Sequence, residues 1–230
     1  MRHRFFSATD LAAGALVTLT SDERHHARVV RVRDGEEVEV FDGRGAGFFG
    51  VYDDGAVSLT TPAPDRESPV DIHLAMAIIN LEKFELVLQK ATELGVRSII
   101  PLVTERVEVR AERYRGKQER WRKIVFEAVK QSGRARIPEL AEPTDFADVV
   151  TRDGIRILFD ADTPPSPPTA QHPNIPTTLL IGPEGGWSDD ELRAARAEAC
   201  RFEQLGPRRL RAETAAIVAC AIIAARSAGF

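Results

Sequence analysis

The chain has 230 residues, of which 43% are hydrophobic and 29% charged, and its formal net charge is −4 at pH 7. This composition is typical of soluble globular proteins and argues against a disordered, fibrous or membrane-spanning chain. The two cysteines are too few for a disulfide framework, and no Cys/His cluster has the spacing of a zinc site, so we expect a reducing, cytoplasmic location. The basic first ten residues lack the apolar stretch of a signal peptide, which favours the same location.

Short strands separated by glycine turns are predicted in the first sixty residues. Residues 38–41 and 48–52 lie on either side of an Asp42-Gly43 turn, and residues 56–60 follow a second turn. Strands this short and this closely spaced indicate a small barrel. Residues 61–69 contain three prolines and several charges, a composition typical of a linker.

From residue 70 the pattern changes to alternating strands and helices. The predicted strands cover residues 72–79, 98–103, 155–159, 177–181 and 202–205. The predicted helices cover residues 84–94, a stretch around 121–129, a segment from a capping box at Ser188 to Cys200, and residues 213–226. Residues 164–176 contain six prolines and are predicted as a loop. This alternation predicts a mainly parallel sheet in an α/β domain.

One stretch of this acidic chain is strongly basic. Residues 106–136 carry eleven basic residues against four acidic ones. A local positive field of that size suits a polyanion such as nucleic acid. A solvated basic helix with acidic neighbours in space is the alternative interpretation.

Two later loops contain glycine where a strand precedes a helix. The first has the sequence GPEGG at residues 182–186, and the second has QLGPRRLR at residues 204–211. If both follow parallel strands, they lie at the carboxyl edge of the sheet, where open α/β folds bind ligands. Neither contains the dinucleotide pattern GxGxxG or a phosphate-binding loop ending in GK[ST]. The two loops can form a ligand pocket or can be two plain turns, and their residues alone do not decide between these interpretations.

The second loop also carries Arg208, Arg209 and Arg211 directly before a predicted helix. Arginines in that position can face an anion or a polarised carbonyl oxygen. Glu213, near the start of the helix, can simply stabilise the helix N-terminus. Stabilising the helix N-terminus is the simpler interpretation of Glu213, and a role in a binding site is the other.

Strings of residues along nearly the whole chain closely resemble the RsmE family of ribosomal RNA methyltransferases, within the SPOUT superfamily. Two of them are the glycine loops, IGPEGG at 181–186 and LGPRRLRAETA at 205–215. The others are QKATELGV at 89–96, QSGRARIP at 131–138, RHRFF at 2–6 and HARVVR at 26–31. They occur in the family's order, so no single motif carries the resemblance.

The resemblance implies a fold and an activity. It implies a PUA-like RNA-binding β-barrel over residues 1–68 and a SPOUT-type α/β domain over residues 70–230, with a parallel sheet flanked by helices and a deep trefoil knot. It further implies S-adenosylmethionine as methyl donor, a homodimer, and N3-methylation of a uridine in 16S ribosomal RNA, with the assembled small subunit as substrate. In one departure, the chain reads Asn80-Leu81-Glu82-Lys83 where the family usually has Lys-Gly, and Lys83 is the candidate substitute.

Carried over to this chain, the resemblance also implies site residues, and no metal among them. The residues expected to bind the cofactor are Leu180, Ile181, Gly182, Glu184, Gly185, Gly186, Leu205, Gly206, Leu210, Thr214 and Ala215. We expect Arg211, together with Arg134, to stabilise the anionic uracil oxygens, and Glu213 is a weaker candidate for the general base. Trp187 is expected at the border of the pocket. RNA contacts are expected from Arg2, Arg4, Arg28, Arg31, Lys123, Lys130 and Arg134.

Two other function classes make different predictions. A module that only docks on RNA would need the barrel and the basic helix, and would leave the two glycine loops unconstrained. A nucleotide-dependent oxidoreductase would need an early glycine fingerprint, which the chain lacks. Calorimetry with S-adenosylmethionine against NAD separates the three.

Overall fold

The computed structural model of the chain describes residues 2–107, 116–162, 164, 166 and 175–228. They divide into two compact units. The first comprises Met1–Glu67 and Val129–Ile137, and the second comprises Ser68–Ala128 and Pro138–Phe230.

The first unit contains a five-stranded sheet and one helix. Its elements are β1 (Arg4–Phe6), β2 (Leu16–Thr18), α1 (Ser21–Val29), β3 (Glu37–Phe41), β4 (Gly47–Asp53) and β5 (Ala56–Pro62). The strand order is β1-β3-β4-β5-β2, and only the β1–β3 pair is parallel. The three predicted strands are confirmed as β3, β4 and β5, whereas β1, β2 and α1 were not predicted. Alternate residues of the strands, such as Phe5, Val38 and Val57, form its buried core.

Residues 129–137 belong to the first unit because buried charges hold them there. The Arg4 guanidinium donates to the carbonyl oxygens of Val129 and Arg134, both at 2.8 Å, and forms an ion pair with Glu39 at 3.0 Å. The Glu67 carboxylate forms an ion pair with Arg134 at 2.7 Å. The backbone of residues 129–137 is therefore fastened by side chains from the N-terminal segment.

The second unit contains a parallel sheet flanked by helices, as predicted. Its elements are β6 (Ile72–Ala77), α2 (Leu81–Glu93), β7 (Ser98–Val103), α3 (Gln118–Ser132), β8 (Glu139–Leu140), β9 (Thr144–Asp145), α4 (Phe146–Val150), β10 (Ile155–Phe159), β11 (Thr177–Ile181), α5 (Asp189–Ala197), β12 (Arg201–Glu203) and α6 (Ala212–Ala228). The strand order is β12-β10-β11-β6-β7-β8, and β9 pairs with β7. The last four residues of α3 belong to the first unit. The trefoil knot implied by the resemblance stays a prediction.

The topology of this sheet brings three connections to one edge. Strands β10, β11 and β12 are parallel neighbours, and Phe159 at the end of β10 is in register with Ile181 of β11 and Glu203 of β12. The chain therefore leaves all three strands at the same level. The loops that begin at Asp160, Gly182 and Gln204 emerge side by side at the carboxyl edge, where ligands bind in open α/β folds.

At the start of β6, His73 lies half-buried beside β7. Its Nδ1 is 2.7 Å from the hydroxyl oxygen of Ser98, its cross-strand neighbour. Burial lowers the pKa of His73, and the nearby cation Arg152 acts in the same direction. His73 is therefore a hydrogen-bonded structural residue that favours its neutral form.

Candidate functional site

A cavity of about 750 Å³ opens at the carboxyl edge of β10, β11 and β12. Its volume is in the range typical of small-molecule and cofactor sites. Residues of all three loops and of the first turn of α6 line it, and Leu192 of α5 closes one side. The two glycine loops singled out in the sequence therefore share one pocket.

The loop at residues 182–186 is fixed at both ends. It follows β11, whose residues are all buried, and its turn closes with a 2.9 Å hydrogen bond from the Gly186 amide to the carbonyl oxygen of Pro183. Gly186 has φ +68°, a left-handed conformation that favours glycine. The indole of Trp187 then donates to the Phe159 carbonyl at 3.0 Å, and Ser188 begins α5 with the predicted capping box. Trp187 lines the cavity as expected.

The loop at residues 204–211 forms the facing wall. Gly206 has φ +87°, and α6 begins shortly afterwards with a 2.8 Å hydrogen bond from the Ala215 amide to the Arg211 carbonyl. Leu205 and Leu210 are half-buried and line the cavity. Such side chains offer apolar surfaces for a flat ring, while the neighbouring backbone supplies amides and carbonyls.

A lysine from α2 lies between two acidic side chains of these walls. The Lys83 ammonium is 3.0 Å from Glu184 Oε1, in the first loop, and 4.0 Å from Glu213 Oε2, in the first turn of α6. The Glu213 side chain is only 12% exposed, and its Oε2 accepts no hydrogen bond from the described residues. Lys83 is therefore the nearby positive charge that compensates a buried carboxylate.

Comparisons with known proteins indicate the same class of protein over nearly the whole chain. Residues 66–224 match the RNA methyltransferase domain family, and residues 19–52 match the RNA methyltransferase PUA domain family. The ribosomal RNA small subunit methyltransferase E of Synechocystis sp. is 33% identical over 97% of this chain and 77% of its own length. The chain belongs to this methyltransferase family. The protein of the same name from Aquifex aeolicus is 28% identical, over 96% of this chain and 98% of its own length.

A solved structure has the same fold. It is the ribosomal RNA small subunit methyltransferase E of Neisseria gonorrhoeae bound to S-adenosylmethionine, with a TM-score of 0.87, 29% identity and 97% coverage of both chains. This likeness and the PUA match confirm the α/β fold class with a PUA domain. Within the described residues of the present chain, no helix is long and apolar enough to cross a membrane. The same residues contain no cluster of three or more metal-ligating side chains.

Most residues expected at the family's cofactor site lie on the cavity. Nine of the eleven line it, and the exceptions are Leu180 and Thr214. Leu180 is fully buried, because side chains alternate along β11 and its own packs in a core cluster that includes Leu158. Thr214 is exposed and outside the lining.

The connection after β10 also lines the cavity and was not predicted to do so. Asp160, Ala161 and Asp162 line the cavity, as does Arg106, whose guanidinium donates to the Gly185 carbonyl at 3.2 Å. The predicted strand over residues 155–159 is the signal that could have found the first three, because its end faces the same edge. That connection contains no glycine and was not singled out.

The candidate catalytic residues differ in their exposure and in their local contacts. Arg211 is exposed and lines the cavity, whereas Glu213 does not line it. Arg134 belongs to the first unit, and its side chain is 3% exposed and paired with Glu67. This burial corrects the expectation that Arg134 faces a substrate base.

Burial also changes the set of expected RNA contacts. The Arg4 side chain is 7% exposed and that of Lys130 is 12% exposed, and they form ion pairs with Glu39 and Glu23 respectively. Like Arg134, these cations are committed to carboxylates of their own unit, which corrects the expectation that they bind RNA. The remaining expected RNA contacts are exposed, namely Arg2, Arg28, Arg31 and Lys123. Residues 108–115 of the basic stretch lie outside the described residues.

Proposed function

We propose that this protein is an S-adenosylmethionine-dependent methyltransferase that methylates N3 of a uridine in 16S ribosomal RNA. Membership of the small subunit methyltransferase E family, together with the cavity between two glycine loops, carries the proposal. The uridine target and the N3 position rest on the family resemblance. The relative bound to S-adenosylmethionine supports the choice of cofactor.

The residues of the cavity fit an adenosyl group. A Cβ built at Gly186 or Gly206 would meet no atom within 4 Å, so open space adjoins the backbone of both loops. Backbone groups there can read the polar edge of adenine, and Leu205 and Leu210 can contact its faces. When bound, S-adenosylmethionine supplies an electrophilic methyl group on a sulfonium, and no metal is needed.

The protein must then position a uracil ring and help N3 to lose its proton. A protonated imide nitrogen is a poor nucleophile, so the negative charge that develops on the uracil oxygens has to be stabilised. Arg211 is the proposed group, because it is exposed at the cavity and its planar guanidinium can donate to both uracil oxygens that flank N3. Holding N3 in line with the methyl group is the other contribution.

Glu213 is the weaker candidate for the base that takes the N3 proton. Its carboxylate does not line the cavity and lies 4.0 Å from the Lys83 ammonium, which favours a structural role in this conformation. Single-turnover rates at saturating cofactor separate the two residues. We expect Arg211→Ala to lower the rate by about 100-fold, in the range found for removing an oxyanion-stabilising donor. Near wild-type rates for both Arg211→Ala and Glu213→Gln would overturn both catalytic assignments.

The proposal includes the partners of the enzyme. The exposed side chains of Arg2, Arg28, Arg31 and Lys123 are proposed to contact RNA phosphates and to set position rather than sequence. The target uridine would have to be unstacked to enter the cavity. A homodimer, the assembled small subunit as substrate and a cytoplasmic location are part of the same proposal and rest on the resemblance.

Methylation followed by mapping of the product tests the function. The full chain is incubated with radiolabelled S-adenosylmethionine and either free 16S RNA or assembled small subunits, and the modified nucleoside is identified by mass spectrometry. We expect 3-methyluridine at one position, with faster transfer to the assembled particle. A different methylated nucleoside, or no transfer to either substrate, would refute the proposal.

A further inference from the structure

The mouth of the cavity is lined by exposed arginines. Arg208, Arg209 and Arg211 come from the second glycine loop, and Arg106 donates to the Gly185 carbonyl of the first loop. None of these four was among the expected RNA contacts, and only Arg211 was given a role in the reaction.

The arginines of the second loop differ in whether a carboxylate pairs with them. Arg209 forms an ion pair with Asp162, the two side chains being 72% and 75% exposed. Among the described residues, no carboxylate forms an ion pair with Arg208 or Arg211. These two guanidinium groups are therefore open to an anion from outside the chain.

Four carboxylates also line the cavity, namely Asp160, Asp162, Glu184 and Asp189, and among the described residues none of them forms an ion pair with Arg208 or Arg211. Glu184 is held by Lys83, and Asp189 lies on the other wall, at the first residue of α5. Asp162 is the carboxylate that forms an ion pair with an arginine of the second loop, Arg209. An ion pair this exposed contributes little to stability, so it can be exchanged for a better anion.

A phosphodiester is such an anion. Its two unesterified oxygens match the planar fork of a guanidinium, and binding by arginine is stronger when two parallel hydrogen bonds form. A nucleotide that enters the cavity brings flanking phosphates to its mouth. The carboxylate of a bound cofactor has the same charge and similar geometry, so an experiment must separate these two sources.

We propose that Arg208 and Arg209 form a subsite for a phosphate that flanks the target nucleotide. In the absence of RNA, Asp162 forms an ion pair with Arg209, and the phosphate displaces Asp162 when RNA binds. The inference rests on the proposed function, because RNA is the substrate that supplies the phosphate. The subsite positions RNA at the cavity, and Asp162 weakens binding by competing for Arg209.

Salt-dependent binding of RNA tests the subsite. The probe is a short fluorescein-labelled single-stranded RNA with one uridine, titrated with wild type and with Arg208→Ala, Arg209→Ala, Asp162→Asn and Arg209→Ala/Asp162→Asn. The control is Arg193→Ala, because Arg193 is also exposed and paired with an aspartate but does not line the cavity. Each variant is also titrated with S-adenosylmethionine by calorimetry.

We expect each of the two arginine substitutions to weaken RNA binding about fivefold, the size of one exposed charge contact. Each should also reduce the slope of log K against log salt, and the two reductions should sum to about 0.7, the value for one phosphate contact on a single strand. Asp162→Asn should tighten RNA binding, and this gain should vanish when Arg209 is also replaced. Arg193→Ala should match wild type, and no variant should change S-adenosylmethionine affinity.

Three results would overturn the subsite. Wild-type slopes for both arginine variants would show that no phosphate is bound there. Loss of S-adenosylmethionine affinity with an unchanged RNA slope would identify the cofactor carboxylate as the anion. If Asp162→Asn also tightens RNA binding when Arg209 is replaced, Asp162 does not compete with the phosphate for Arg209. If the slopes fall as expected but wild type methylates no RNA, the subsite stands and the proposed function fails.

Discussion

The position of Lys83 between the two walls of the cavity makes Lys83→Met an informative perturbation. Methionine keeps most of the apolar stem but removes the ammonium that lies 3.0 Å from Glu184 and 4.0 Å from Glu213. Glu213 would then be a buried carboxylate without its compensating charge, and Glu184 would lose its anchor within the first glycine loop. We expect both lower stability and weaker cofactor binding.

The structure sets the size of the stability loss. Two unit charges 4.0 Å apart interact by about 1 kcal/mol in water and about 4 kcal/mol at an effective dielectric constant of 20. Lys83 is 34% exposed and Glu213 is 12% exposed, which places this pair between those limits at about 2 kcal/mol. Lys83 lies in the first turn of α2, where removing a cation returns about 0.3–1 kcal/mol through the helix dipole. We therefore expect a net loss of about 1–2 kcal/mol in the free energy of unfolding.

Urea unfolding followed by tryptophan fluorescence measures this loss, and calorimetry measures S-adenosylmethionine affinity. Glu82→Gln is the matched control, because it removes a charge from the same helical turn without touching either wall. In Lys83→Met/Glu213→Gln the buried carboxylate is gone and only the more exposed Glu184 lacks its partner, so most of the lost stability should return. An unchanged urea midpoint for Lys83→Met, or a double variant less stable than the single one, would refute the argument.

Three further predictions concern other parts of the chain. Gly206→Ala and Gly14→Ala should each cost about 1–2 kcal/mol, because both positions are left-handed and uncrowded, but only Gly206→Ala should weaken cofactor binding in calorimetry. The pKa of His73 is lowered in the folded protein, so the unfolded chain binds more protons and the free energy of unfolding should fall as pH drops below about 6.5; His73→Gln should flatten this dependence in urea titrations. Arg134→Met should lower the free energy of unfolding by about 3 kcal/mol, because it leaves a buried carboxylate unpaired, whereas exposed Arg31→Met should have little effect. Equal effects of the last two substitutions on the urea midpoint would contradict the burial argument.

The length and patterning of an element decided whether sequence could predict it. The five strands predicted for the second unit each correspond to a strand of the parallel sheet, and all but the stretch at 202–205 are mostly apolar runs. The unpredicted strands β1, β2, β8 and β9 have only two or three residues, too few to show a period, and β12, also of three residues, is the exception that was predicted. Helix α1 was missed because only Ala27 and Val29 of its nine residues are apolar, too few to show a helical period.

The candidate site was predictable where glycine marked it and was missed elsewhere. The left-handed turns at Gly186 and Gly206 explain why those loops contain glycine. The third connection, which begins at Asp160, has no such signature. Its place on the cavity follows from the register of β10 against β11 and β12, which the residue pattern of the strands does not reveal.

The charges of the chain show why a basic stretch in a sequence overstates the field that a ligand meets. Arg134 and Lys130 contribute to the count over residues 106–136, yet both are neutralised by buried carboxylates from residues far away in sequence. Their partners, Glu67 and Glu23, could not be inferred from spacing, because the ion pairs bridge segments 67 and 107 residues apart. Long cationic side chains form such pairs only where folding brings an acid to them, and the cost of leaving either partner buried alone keeps them paired. The cations still available to a polyanion are therefore those that folding leaves exposed, and Arg208 and Arg211 meet that condition at the cavity itself.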